Sequence, residues 1–214
     1  MKVIEFDSPH RRRHFELFQS MEMPHFSMVT PVPVQHLKEF ISDHRLHFSG
    51  TIVYLLSRAA NDIREFRWRI RGSQVVEHEL VHPSFTVNTD ESDVFSYCYV
   101  DFTHDYHVFI EAVAAAQQNM RVSPSLEDTP GKDDYLFMSS IPWVHFTAFT
   151  HAMHSPVRDS VPRLTWGKIK ASGDDLMMPV GVQVHHGVVD GKHVGMFLER
   201  FSEYCEEPER SIGS

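Results

Sequence analysis

Apolar residues recur along the chain with two different periods. From Thr30 to Leu46, after a Pro-Val-Pro opening, Val34, Leu37, Phe40 and Ile41 fall on one side of a helix. Between Gly50 and Phe66, the residues Ile52, Val53, Leu55, Leu56, Ala59, Ala60 and Ile63 spread over a wide arc, which predicts a largely buried helix. The period then shortens to two. Phe66, Trp68 and Ile70 alternate with Arg67, Arg69 and Arg71, and Gly72-Ser73 turns the chain into Val75-Val76, so a hairpin is expected. Phe85 to Asn88 and Val94 to Phe102 read as two strands around an Asp-Glu-Ser turn, followed by an Ala- and Gln-rich helix from about His104 to Met120. A loop from Ser125 to Asp134 leads to a strand at Tyr135 to Ser139, a Pro-Trp step and an alternating stretch from Val144 to Phe149. Leu164 to Lys170 and Leu176 to His186 flank an Ala-Ser-Gly-Asp-Asp turn, and the second is apolar enough for a central strand. The last helix, Gly191 to Cys205, carries Val194, Phe197, Leu198 and Phe201 at i, i+3, i+4 and i+7.

Strands thus come in hairpins and pairs, with helices gathered around them and no internal repeat. This favours an α/β (α+β) two-layer sandwich, a mixed β-sheet flanked by helices, over a regular βαβ winding. With 214 residues, 42% hydrophobic and 23% charged, one domain over 1–214 is expected, and the polar residues 206–214 suggest a flexible tail. The formal charge of −9 argues against a nucleic-acid or anionic-membrane partner, because no long segment supplies a basic field. Cys98 and Cys205 lie far apart and outside any CxxC spacing, so neither a disulfide scaffold nor a thiolate metal site is indicated. The opening MKVIEFDSPHRRRHF has no apolar run of signal-peptide length, and no later stretch approaches eighteen apolar residues, so a cytoplasmic protein is expected.

The chemically informative segment is Val182 to Gly195, VQVHHGVVDGKHVG, where an apolar strand ends in two adjacent histidines and Asp-Gly leads into the final helix. Side chains alternate across a strand, so His185 and His186 point to opposite faces and one of them serves a given site. A histidine four residues before an aspartate at a tight turn suits a general base, with the aspartate fixing local geometry. A core histidine bonded to backbone is the competing reading of a lone strand histidine. A zinc site fits poorly, since the pair diverges and no second cluster stands at ligand spacing.

With these residues the sequence resembles the trimeric chloramphenicol acetyltransferase family. The likeness runs through QVHHGVVDGKHVGMFLERFSEYC, RRRHFELFQS near the start, SSIPWVHFTAF in the middle and TWGKIKASGDDLMMPVGVQ before the histidines. It covers nearly the whole chain with consistent spacing. The HHxxxDG string alone is less specific, being shared with dihydrolipoamide acyltransferase and condensation domains.

The resemblance implies an acetyl-CoA-dependent O-acetyltransferase acting without a metal. It makes His186 the general base and Asp190 the structural partner of an N-terminal arginine, best matched by Arg11, with Arg12 and Arg13 as neighbouring alternatives. Ser139 becomes the oxyanion donor, and Thr165 the holder of a water in the transition state. Lys168 and Trp143 fall on the coenzyme side, where Ile169 stands in place of a tyrosine common among relatives. The acceptor pocket maps to Phe18, Glu22, Pro24, Leu126, His151, Met153 and Arg163. Of these, Glu22, His151 and Arg163 sit badly with an apolar ligand unless their charge is paired, so weakened chloramphenicol binding or a more polar acceptor is expected. The resemblance further implies a homotrimer with its sites at subunit interfaces, binding coenzyme A and a small hydroxyl acceptor. A non-catalytic trimeric module and a metal-dependent hydrolase are the rival classes; the first has no need of a base beside an oxyanion donor.

Overall fold

The computed structural model describes residues 1–89, 93–155, 157–173 and 175–213. Strands β1 (Lys2–Ile4), β3 (Trp68–Arg71) and β4 (Gln74–Glu77) make a small antiparallel sheet in the order β1-β4-β3. The expected hairpin is its β3–β4 pair, turned by Gly72 at a φ of 61° that suits a residue without a Cβ. The main sheet is built from β2 (His25–Pro33), β5 (His82–Asn88), β6 (Phe95–Tyr99), β7 (Tyr135–Ile141), β8 (Arg163–Gly167), β9 (Lys170–Ser172) and β10 (Asp175–His185). Its order is β2-β10-β8-β7-β5-β6, with β9 folded back on the start of β10. The β5–β7 and β7–β8 pairs are parallel and the others antiparallel, so the sheet is mixed, as the sequence pattern predicts.

Helices α2 (Gln35–Asp43), α3 (Phe48–Asp62), α4 (Tyr106–Val122) and α5 (Gly191–Glu206) cover one face of this sheet. Met178, Val180, Val182 and Val184 of β10 point into that layer and are fully buried or nearly so. Val194, Phe197, Phe201 and Cys205 meet them from α5 along a single stripe, as the helical spacing requires. Helix α3 is buried on almost every side, in keeping with its wide apolar arc. Period-two alternation sends Gly181, Gln183 and His185 of β10 to the opposite face, together with Ser139 of β7 and Thr165 of β8.

Arg69, fully buried, ties the small sheet to the main one. Its guanidinium donates to the carbonyls of Phe66, Trp68, Asp133 and Tyr135, which anchors the start of β7, and burial pulls its pKa down to about 10.

Three expectations are corrected. The segment read as a helix from Thr30 begins as the end of β2, and α2 starts only at Gln35; β2 is an edge strand, where Pro31 and Pro33 cost no ladder bond to a further neighbour. The alternating stretch from Val144 to Phe149 is irregular chain, with Phe146 buried against Gly167. The tail read from polar composition is helical over α6 (Glu209–Ile212): Ile212 joins the core, and Arg58 donates to the Ser211 carbonyl at 2.6 Å. One apolar residue at the right place outweighs the polarity of its neighbours. The Asp-Glu-Ser turn at 90–92 lies outside the described residues. No helix among those residues is long and apolar enough to cross a membrane.

Candidate active site

The open face of the sheet carries the first group of candidate residues. Register sets Ser139, Thr165 and Gly181 side by side across β7, β8 and β10, with Phe137, Arg163 and Gln183 in the next row. The loop after β7 returns over these rows and places His151 on top of them. Its backbone N–H and its Nδ1 both reach Gln183 Oε1, at 2.7 and 3.1 Å, and its Nε2 lies 2.9 Å from Thr165 Oγ1. An amide oxygen only accepts, so His151 Nδ1 carries the hydrogen and Nε2 accepts from the Thr165 hydroxyl. Burial pushes the His151 pKa down to about 4, which keeps the ring neutral in this network. Gln183 spends its amide N–H on Met153 Sδ at 3.3 Å.

Arg163 is almost wholly buried, and its charge is paired. Nη2 donates to Asp159 Oδ2, Nη1 donates to the Val161 carbonyl at 3.0 Å, and the guanidinium lies 5.2 Å from the Phe137 ring centre. The concern that His151 and Arg163 would bring unpaired charge to an apolar pocket is therefore answered within the chain. Ser139, Trp143, Leu126, His151, Met153 and Arg163 all border one cleft of about 870 Å³. A second cavity of about 240 Å³ adjoins it, sharing Thr86, Asn88, Ser140 and Trp143 and adding His47 and Arg121. Trp143 is mostly exposed and stands at the junction of the two. Lys168 is exposed, and no carboxylate among the described residues pairs with its ammonium group; its backbone N–H donates to the Val144 carbonyl at 2.9 Å.

The second group surrounds His186, just past the end of β10. Its backbone N–H donates to the Pro24 carbonyl at 2.8 Å, fixing the chain where β2 begins. The ring stacks on Phe18 (4.1 Å between centres, 25°), leans on Phe26 (4.6 Å) and meets His14 edge to face (5.3 Å, 72°). Phe18 and His14 come from helix α1 (Pro9–Gln19), where residues four apart share a face. Asp190 caps α5, accepting from the Lys192 N–H at 3.2 Å, and that bond is the leading reason its carboxyl lies below the usual carboxylate range. Its other oxygen lies 3.9 Å from His186 Nδ1.

His185 turns the other way, as alternation requires. It is buried, accepts from the Gly187 N–H at 3.0 Å, and faces His25 across a 5.1 Å ring contact. Burial pushes both pKa values down to about 4, so His185 is the core histidine of the pair.

The expected ion pair between Arg11 and Asp190 is not formed. Arg11 donates instead to the Val188 carbonyl at 2.6 Å and to His14 Nδ1 at 3.2 Å, and the His14 ring fills the space between guanidinium and carboxylate. Glu22 is exposed in the turn after α1. Within one chain, then, the candidate residues form two groups. Ser139, Trp143, Leu126, His151, Met153 and Arg163 border the cleft, with Thr165 buried beneath His151, whereas His186, Asp190, Arg11, Phe18 and Pro24 gather at the start of β2; His186 does not line the cleft. Sequence reasoning missed His14, Gln183 and Asp159. His14 is one helical turn from Arg11, and Gln183 shares a strand face with His185, so spacing alone could have raised both.

A family model described as chloramphenicol acetyltransferase matches residues 1–202. The chain belongs to the chloramphenicol acetyltransferase family. It is accordingly an acyltransferase enzyme. Among curated relatives, chloramphenicol acetyltransferase 3 of Escherichia coli is 30% identical over 210 residues, covering 96% of this chain and 98% of the relative. The enzyme of that family from Klebsiella sp is 28% identical over 209 residues, covering 96% and 94%. In fold, a solved chloramphenicol acetyltransferase superposes with a TM-score of 0.83 at 22% identity, covering 96% of this chain and all of that one. The dihydrolipoamide acetyltransferase of Azotobacter vinelandii shares the fold at a TM-score of 0.72 and 15% identity, covering 97% and 93%.

Proposed function

We propose that the chain is an acetyl-CoA-dependent chloramphenicol O-acetyltransferase in which His186 is the general base and Ser139 the oxyanion donor. His186 Nε2 takes the proton of the acceptor hydroxyl while the oxygen attacks the thioester carbonyl. Ser139 donates a hydrogen bond to the charge that develops on the carbonyl oxygen. The new C–O bond forms, the C–S bond breaks, and coenzyme A departs as a thiolate that recovers the proton from the imidazolium. Thr165 directs its hydroxyl hydrogen to His151, and the water-holding role implied for it by the resemblance is assigned to its oxygen, which keeps lone pairs to accept with. Buried Cys98 and Cys205, with thiol pKa values raised by burial, offer no nucleophile for an acyl-enzyme, which favours direct transfer. We assign the coenzyme to the end of the sheet where the smaller cavity opens beside Trp143, because Arg121 lines that cavity and brings positive charge to an acidic protein. Two free thiols suit a reducing, cytoplasmic setting.

One observation carries this reading: His186 and Ser139, to which these roles are assigned, lie in separate groups of the same chain, and only Ser139 borders the large cleft. A head-to-tail ring of three copies closes such a pair, seating His186 of one subunit against the cleft of the next. The test is thiol release from acetyl-CoA with chloramphenicol, using His186→Ala, Ser139→Ala and the two variants unfolded and refolded together. Each variant alone is expected to be nearly inactive. The mixture recovers activity, because about a quarter of interfaces in randomly mixed trimers pair an intact His186 with an intact Ser139. Full activity of His186→Ala overturns the base assignment, and failure of the mixture to recover overturns the shared site.

A further inference from the structure

We propose that Gln183 is a positioning residue for one wall of the cleft: its buried amide holds His151 and Met153 of the loop after β7, so that the wall is set before an acceptor arrives. This rests on the reading of the cleft as the acceptor site and names the residue that shapes it.

One amide makes three contacts. Gln183 lies on the open face of β10, 6% exposed, in the row of Phe137 and Arg163. The His151 backbone N–H can only donate, so the atom it meets at 2.7 Å is the amide oxygen, and the amide nitrogen is the one that reaches Met153 Sδ at 3.3 Å. The same oxygen lies 3.1 Å from His151 Nδ1, which therefore carries the ring hydrogen. Nε2 is then bare and accepts from the Thr165 hydroxyl at 2.9 Å. A single backbone N–H thus assigns every hydrogen from Met153 to Thr165, and both ring nitrogens of His151 are engaged inside the protein.

The described part of the loop from His145 to Ser160 has no helix or strand of its own, so it depends on contacts with the sheet. Before His151, Ser27 of β2 donates to the Phe149 carbonyl at 2.9 Å, and the Phe149 ring meets the His151 ring edge to face at 4.9 Å. After it, Asp159 is tied to Arg163. Between these anchors Gln183 and Thr165 reach up from the sheet to the chain that borders the cleft. An amide suits this place because it offers His151 an acceptor and Met153 a donor while bringing no charge. A leucine would leave two N–H groups of His151 without an acceptor, and a carboxylate would lose the donor and set a negative charge beside Nδ1.

Burial holds the His151 pKa down at about 4; the Gln183 contact works upward against it and the Arg163 charge downward. Arg163 stands beside Gln183 on β8 with Asp159 as its counter-charge, His25 and His185 form the next row of the sheet, and Asp93, Asp128 and His154 border the same cleft. If the amide is removed, the wall shifts, and an acceptor must order it on binding. Affinity for the acceptor then falls by the fraction of molecules in which the wall stands ready.

The experiment measures thiol release from acetyl-CoA with chloramphenicol for Gln183→Leu and Gln183→Glu, with thermal melts and 15N spectra of the His151 ring, whose signal is identified by its loss in His151→Phe. In the unaltered protein the ring is expected to carry its hydrogen on Nδ1 alone between about pH 8 and pH 5. Gln183→Leu is expected to raise KM for chloramphenicol roughly three- to tenfold, more than it lowers kcat, and to leave KM for acetyl-CoA within about twofold. Gln183→Glu keeps an oxygen in place and moves the His151 titration up by about one pH unit or more, so KM for chloramphenicol rises more steeply with acid than in the unaltered protein. A KM for chloramphenicol that is equal in all three proteins, or a KM for acetyl-CoA that rises as much, overturns the positioning role, as does a ring hydrogen on His151 Nε2. Should Gln183→Leu fail to fold, the pH dependence of KM in Gln183→Glu decides alone. Thiol release that chloramphenicol does not stimulate in the unaltered protein overturns the reading of the cleft instead, and the ring spectrum still reports on Gln183, so the two failures are told apart.

Discussion

Replacing Asp159 by Asn removes one charge from the acceptor end of the cleft and leaves almost everything else in place. An Asn keeps an oxygen for the Val161 N–H, which Asp159 Oδ1 now accepts at 3.0 Å, and an oxygen or amide near Arg163. What it loses is the counter-charge of a guanidinium that is 7% exposed. Unit charges about 4 Å apart interact by roughly 4 kcal/mol at an effective dielectric of about 20. Breaking a buried pair on one side costs about 3–5 kcal/mol. The Asp159 side chain is 23% exposed, so water screens part of this, and about 3 kcal/mol is expected. At roughly 2–4 °C per kcal/mol for a chain of this size, the melting temperature falls by roughly 6–12 °C. Asp159→Leu with Arg163→Leu should restore most of that, because an apolar pair of similar volume carries no unpaired charge. The assay is a thermal melt at fixed protein concentration for Asp159→Asn, for Asp159→Leu and Arg163→Leu singly and for the Leu double variant, the last three forming a double-mutant cycle with the unaltered protein. A melting temperature within about 2 °C for Asp159→Asn, or a coupling below about 1 kcal/mol, would refute the account of how the buried arginine is tolerated.

Ser139→Ala should lower kcat by about a hundredfold or more while leaving KM for the acceptor nearly unchanged; an equal rise in KM would make Ser139 a binding group instead. His25, His151 and His185 have folded pKa values of about 4 against an ordinary 6.5, so the folded state binds fewer protons than the unfolded one between these limits. Their stabilisation is therefore complete above pH 6.5 and is lost as pH falls towards 4, by up to about 2 kcal/mol each after allowance for solvent screening; denaturant midpoints that stay constant from pH 7.5 to 4.5 would contradict this. Gly167→Ala places a Cβ 2.7 Å from both the Phe146 ring and the Val144 carbonyl oxygen and 2.8 Å from Pro179, so a loss of roughly 1–3 kcal/mol is expected in chemical denaturation. An unchanged midpoint would mean that the loop carrying Trp143 yields at no cost.

Much of the site could be read from spacing because spacing is a local property. Alternation alone separates His185 from His186, and the structure has one in the core and the other at an aromatic-walled edge. The i, i+3, i+7 stripe of α5 and the apolar run of β10 place those histidines at the junction of sheet and helix. Ser139 and Thr165 are legible only through the family resemblance and not through spacing, and the parallel register of β7 and β8 makes them direct neighbours. What local pattern could not supply was the partner of each polar group. Asp159 neutralises Arg163 and Gln183 orients His151 through contacts between loop and sheet. His14 separates Arg11 from Asp190 only because α1 packs against the turn before α5, and Ile212 pins a polar tail only because the core leaves room for it. A one-dimensional pattern encodes which face a side chain takes; charge pairing and tautomer depend on distances between remote segments, and those exist only once the layers have packed.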